Sequence, residues 1–134
     1  MSEQANVRQV QAVYAAVSRG DIPSLMDALS DDVEFVIPYP PEIPNGGTFH
    51  GKAGFQKWLG LTAENVQFTA LEPRAFIAQG DQVVVLSHAE ATIKRTGRDV
   101  INEAAHVWTL RNGKIACQEA YEDTAAVVEA YRSR

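Results

Sequence analysis

The chain has 134 residues, of which 46% are apolar and 22% charged, with a formal net charge of -5. That length suits one domain with its own core, and an acidic balance with scattered Lys and Arg argues against nucleic acid or an anionic membrane surface as partner. A single cysteine, Cys117, excludes an intramolecular disulfide framework and fits a reducing cytoplasm, and with three dispersed histidines it makes no zinc-site spacing, so neither metal nor cofactor is expected.

The opening MSEQANVRQVQ is polar and carries no signal-peptide core, and no apolar run approaches the length of a membrane span. Val7, Val10, Val13, Tyr14 and Val17 recur at helical spacing, which predicts an amphipathic helix over residues 3–18 stopped by Gly20. Asp21 is placed to cap a second, short helix with Pro23 in its first turn and Leu25, Met26 and Leu29 as its buried stripe. DDVEFVIP then reads as a strand closed by Pro38.

The segment from Pro38 to Phe49 is long and stiffened by prolines. Its bulky Tyr39, Ile43 and Phe49 argue against disorder, and loops of this length in small domains are usually functional. It is expected to rim a pocket, and PEIPNG within it to be dispensable for folding. Phe55, Trp58 and Leu59 predict a third helix beginning near Gly51. From residue 65 the period shortens, and VQFTALEPRAFIAQ, DQVVVLSHAEATIK, RDVINEAAHVWTL and KIACQEAYED follow as strands separated by QGD, RTGR and RNGK. The Thr-Gly and Asn-Gly pairs suit tight hairpins. TAAVVEAYRSR closes the chain as a short helix, for which Asp123 is the N-cap.

Helices first and strands afterwards indicate the α+β class. The expected architecture is one domain over residues 1–134: a curved antiparallel sheet forming a cone-shaped barrel, three N-terminal helices packed over an internal pocket, and a short C-terminal helix. The outer face of such a sheet would be free to pair with a second copy.

SRGDIPSLMDALSDDVEF, FHGKAGFQKWL and TGR…HVWTLRNGKIACQEAYEDT together resemble the SnoaL-like group of the nuclear-transport-factor-2-like, or ketosteroid-isomerase-like, superfamily. The resemblance spans nearly the whole chain. It implies a cone-shaped fold with an apolar pocket and usually a homodimer, on which isomerases, dehydratases, cyclases, epoxide hydrolases and non-enzymatic binders are all built. Residue by residue it is more restrictive. Ketosteroid isomerases place an Asp base before the proline that ends the first strand; here Ile37 stands there, so that route is closed. Their oxyanion donors correspond to His106 and to Val13, with Tyr14 one step along the helix. Limonene-type epoxide hydrolases need an Asp-Arg-Asp set, and the matching positions hold Ser87, Ala89 and Ala120. A one-residue slip would bring in His88 and Glu90 instead; the unslipped register is the expected one, because a slip turns every side chain to the other face.

His106 is the first candidate for chemistry, as proton carrier or oxyanion donor, with inward neighbours Ala104 and Trp108. The plain reading of the same residue is a core histidine that merely orients a ligand. Tyr14 is a second donor. Glu122 alternates inward with Gln118 and Ala120 and is a candidate base at the mouth, or simply a solvated strand-end carboxylate. Tyr39, Phe49, Trp58, Phe68 and Trp108, with Ser87 and Gln118, are the expected pocket walls. His88 and Glu90 form either a proton-transfer dyad or, on the outer face and together with Glu103, polar contacts of a dimer. Two functions stay open: a cofactor-independent isomerase, dehydratase or cyclase acting on a small apolar carbonyl or hydroxyl compound, or a non-catalytic ligand-binding or dimerisation module of the same fold.

Overall fold

Ser2 opens the first helix, its Oγ accepting the Ala5 N–H at 3.0 Å. The computed structural model describes residues 2–132. It contains α1 (Glu3–Ser18), α2 (Ile22–Ala28), β1 (Leu29–Ile37), β2 (Gly47–His50), α3 (Gly51–Asn65), β3 (Val66–Gln79), β4 (Gln82–Ile93), β5 (Asp99–Arg111), β6 (Lys114–Tyr121) and α4 (Thr124–Arg132). Ser133 and Arg134, included in the predicted last helix, lie outside the described residues, as does Met1. The class is α+β. Local signals explain the boundaries: Gly20 adopts φ 67 just past α1, Asp21 accepts the Ser24 N–H at 3.1 Å, and Asp123 accepts the Ala126 N–H at 3.2 Å.

The six strands lie in the order β2-β1-β6-β5-β4-β3. The sheet is not closed into a barrel, since β2 and β3 remain its two edges, and it is not wholly antiparallel, since β1 joins β6 in parallel. Bulges between Phe68 and Ala70 and between Pro73 and Ala75 bend β3. The β5–β6 turn consists of Asn112 and Gly113 at φ 55 and 77, which suits a two-residue hairpin.

The inner face alternates as expected along β4, burying Val83, Val85, Ser87, Ala89, Ala91 and Ile93. Large side chains occupy the two ends of this face and small ones the middle. At one end Val83, Val85, Trp108, Leu110 and Ile115 join Val10, Val13, Phe35 and Phe55 in the main core. At the other, Ile93 and Val100 pack with Ile43 and with Val127 and Tyr131 of α4. Ala89, Ala91 and Ala104 lie between them, and a hollow remains over them.

The proline-rich segment therefore differs from its expected role. It is half rim and half core: Ile43 is 2% exposed within the second cluster, and Asn45 reaches Thr62 at 3.4 Å and accepts the Tyr131 hydroxyl at 3.2 Å. Gly46 lies so close to Tyr39 that a Cβ there would come within 2.5 Å of the Tyr39 Cβ, so the backbone itself sets the Tyr39 ring. The end of the segment is also not loop, since Gly47–His50 adds to β1 as an edge strand.

Candidate functional site

The hollow has a volume of about 670 Å³, within the range of small-molecule sites. Strand alternation brings Asn102, Ala104, His106 and Trp108 of β5 to its wall, with Ser87 and Ala89 of β4 and Gln118 of β6. Register fixes their neighbours. His106 stands opposite Val85 on one side and Ala120 on the other, so Ser87, Gln118 and Glu122 are its diagonal neighbours, roughly 7 Å away by sheet geometry.

Above His106 lies Tyr14 of α1. The Trp108 Nε1–H donates to Tyr14 Oη at 3.1 Å, and Tyr14 Oη meets His106 Nδ1 at 2.6 Å. Burial pushes the Tyr14 phenol far above its ordinary range, opposed only weakly by the Trp108 donor, so Tyr14 keeps its proton. That proton needs an acceptor, and Nδ1 provides it. The imidazole is thereby held with hydrogen on Nε2. Burial also pushes His106 below its ordinary pKa of 6.5, against a pull from Glu122. His106 is thus a neutral donor whose Nε2–H has no protein partner among the described residues.

Glu122 is held from two sides. The Tyr39 hydroxyl and the Asn102 Nδ2–H both donate to its Oε1, the latter at 2.6 Å, while Asn102 Oδ1 accepts the Asp123 N–H at 2.9 Å. Oε2 has no protein partner among the described residues. Tyr39 stays protonated, its phenol raised by burial first and by the Glu122 charge next. The arrangement presents a donor, Nε2–H, and an acceptor, Oε2, to one apolar hollow. Three further polar atoms of lining residues, Trp58 Nε1, Ser87 Oγ and Gln118 Oε1, are buried without a partner among the described residues. Each such group destabilises the fold by about 1–3 kcal/mol, so three around one hollow mark it as built for more than packing.

His106, Tyr14, Glu122, Tyr39, Trp58, Ser87, Trp108 and Gln118 all line the hollow. Phe68 lines it from the rim and is 51% exposed. Phe49 does not line it: it pairs with Phe35 across β1 and β2 and is buried against α3, where Gly54 approaches it. The choice between Val13 and Tyr14 resolves in favour of Tyr14 as the group that reaches His106. Ile37 and Ala89 also border the hollow. His88 lies on the outer face, between Glu90 (2.8 Å) and Glu103, as the unslipped register requires. Asn102, Asn45 and Tyr131 are lining residues that sequence reading missed; Asn102 continues the inward alternation of Ala104 and His106 by one step.

A pH effect follows from His106. Its folded-state pKa is depressed, so below about 6.5 the unfolded chain binds more protons than the folded one. Its contribution is fully present above that value and is lost as pH falls towards the folded pKa. His88 has the opposite sign, because Glu90 and Glu103 raise it: its contribution is full below 6.5 and fades as pH rises through the raised value. Comparing wild type with His106→Gln cancels the His88 term. Urea midpoints should fall more steeply on mild acidification in wild type than in the variant; parallel curves would refute a buried neutral His106.

Among the described residues, no group of three or more His, Cys, Asp or Glu side chains is placed to hold a metal ion, and no helix is long and apolar enough to cross a membrane. The profile of the SnoaL-like domain matches residues 10–118. Among solved structures, an NTF2-like protein from Burkholderia xenovorans LB400 is 34% identical, over 97% of this chain and 98% of that one, with a TM-score of 0.88. An NTF2-like protein of unknown function from Burkholderia pseudomallei K96243 is 28% identical over 99% and 100% of the two chains, with a TM-score of 0.86. TerC, co-crystallised with polyporic acid, is 33% identical over 96% and 99%, with a TM-score of 0.83. No curated protein matches the sequence.

Proposed function

We propose that this chain, which belongs to the SnoaL-like domain family, is a cofactor-independent acid–base enzyme acting on a small, mainly apolar carbonyl compound, by isomerisation, dehydration or aldol-type cyclisation. The observation that carries the reading is the hydrogen-bond relay from Trp108 through Tyr14 to His106, which leaves Nε2–H facing an apolar hollow with the free Glu122 Oε2 nearby. A carbonyl oxygen on Nε2–H places its α-carbon within reach of Glu122. Oε2 takes the α-proton, the C–H electron pair becomes the C=C bond, and the carbonyl π pair moves to oxygen, where His106 stabilises the developing charge. Return of the proton to the same or a conjugated carbon gives exchange or isomerisation; attack of the enolate carbon on a second carbonyl closes a ring. That TerC was crystallised with polyporic acid supports an organic ligand for this chain too.

The assay needs no native substrate. Enzyme is mixed with naphthyl methyl ketone in heavy water, and loss of the methyl signal is followed by NMR. Wild type should accelerate exchange over buffer, and His106→Ala should lower the catalysed rate by about 10²–10³-fold. The second reading, a non-catalytic binder, draws on Ile37, Ser87 and Ala89 at the positions of known family chemistries. Binding of the ketone without catalysed exchange would favour it.

The outer sheet face is assigned to a second copy of this chain. Ile77, Leu86, Ile101 and Tyr121 are more than two-fifths exposed there, and strand register sets Leu86 beside Ala75 and Ala105, and Tyr121 next to Ala105. The facing pair His88–Glu103 sits between the Leu86–Ala105 and Glu90–Ile101 pairs, with Arg74 beside Glu103, so apolar and charged rows alternate on this face. Sedimentation should give a dimer for wild type and a monomer for the Leu86→Lys, Ile101→Lys double variant. A wild-type monomer at micromolar concentration would remove the assignment.

A further inference from the structure

Ala120 and Gln118 are successive inward positions of β6, and Glu122 follows in the same alternation one residue past its end, so each step moves roughly 7 Å along the hollow. Glu122 is held at one end by Tyr39 and Asn102. His106 faces Ala120 in the middle. Beyond it, where Gln118 pairs with Trp108 on β5 and with Phe35 on β1, the wall becomes aromatic: Phe35 stacks on Trp58 with ring centroids 6.0 Å apart. Besides the Trp108–Tyr14 contact, two polar groups stand at that end. Gln118 is 5% exposed, and neither its Oε1 nor the Trp58 Nε1–H has a partner among the described residues.

A purely packing role does not account for these two groups. Leu and Phe would fill the same volumes without leaving an acceptor and a donor unsatisfied. The relay that occupies Trp108 and Tyr14 does not use either of them. They offer complementary functions, an indole N–H that donates and an amide that both accepts and donates. A hydroxyl group suits the pair: its oxygen accepts from Trp58 while its hydrogen goes to Gln118 Oε1.

We infer that the hollow is built for a ligand with two oxygen functions on a flat apolar frame, a reacting carbonyl at His106 and a hydroxyl at Trp58 and Gln118 about one strand step, roughly 7 Å, deeper. This rests on the carbonyl reading above and narrows it to hydroxy-ketones of aromatic or polycyclic frame. The deep pair acts in recognition, through binding energy made far from the reacting bond.

The test compares naphthyl methyl ketone with its analogues bearing a hydroxyl on the far ring, by titration calorimetry. The best hydroxyl isomer should bind wild type about tenfold tighter than the plain ketone. Gln118→Leu and Trp58→Phe should each remove most of that gain, read as the ratio of hydroxyl-analogue to plain-ketone affinity within the same variant. Two variants on different elements, β6 and α3, keep the test alive if one fails to fold. Equal affinity of the two ligand types, or variants that weaken both equally, would overturn the deep hydroxyl site and leave the carbonyl reading standing. Failure of wild type to bind either ligand would overturn both.

Discussion

Glu122→Gln is expected to lower the rate of α-proton exchange by about 10²–10⁴-fold, the ordinary contribution of a positioned general base. The substitution preserves shape. The Tyr39 hydroxyl and Asn102 Nδ2–H that now donate to Oε1 can donate equally to the Gln carbonyl oxygen, and the amide nitrogen then takes the place of Oε2. A base thus becomes a donor with the surroundings intact, so ketone affinity should change little while turnover collapses. That split between binding and rate distinguishes a catalytic carboxylate from a solvated strand-end charge. Exchange at the wild-type rate in this variant would end the proposed role, and with it the proton-abstraction scheme.

The second large effect concerns stability. Ile43→Ala should lower the free energy of unfolding by about 2–5 kcal/mol, the range for a fully buried aliphatic side chain, set against a total of roughly 5–15 kcal/mol for a domain of this kind. Ile43 holds together the cluster formed by Ile93, Val100, Val127 and Tyr131. Excision of residues 41–46 also removes Asn45 with its bonds to Thr62 and Tyr131, and the Glu42–Arg132 ion pair at 2.7 Å. Cooperative unfolding in urea should then be lost. A variant lacking these residues that unfolds cooperatively, near the wild-type midpoint, would show that α4 seals its end of the domain without them.

Periodicity located almost every element. The alternation of β4 and β5 and the Asn-Gly turn are local properties, and they appear in the structure within a residue or two of their expected limits. Gly47–His50 was not legible as a strand because only Phe49 of the four is buried; what makes it a strand is its pairing with β1. The parallel β1–β6 join joins residues about eighty positions apart, and nothing local to either strand announces it. The site divides in the same way. Alternation, with its register taken from the family landmarks, placed His106, Trp108, Gln118 and Glu122 on one face. Tyr14 required the rotation of α1 over the sheet, which family landmarks left one residue out and packing sets. Tyr39 meets Glu122 across 83 positions, a contact fixed by how the proline-rich segment folds back, with Gly46 under the Tyr39 ring.

The alanine floor has its own implication for how such a protein changes over time. Ala89, Ala91 and Ala104 stand on the most regular part of the ladder, where adding or trimming a methyl group leaves the strand pairing untouched. Selectivity for ligand shape can therefore drift in single small steps. The relay on His106 and the clamp on Glu122, mounted on neighbouring positions, are carried along unchanged, so a change of ligand outline need disturb neither of them.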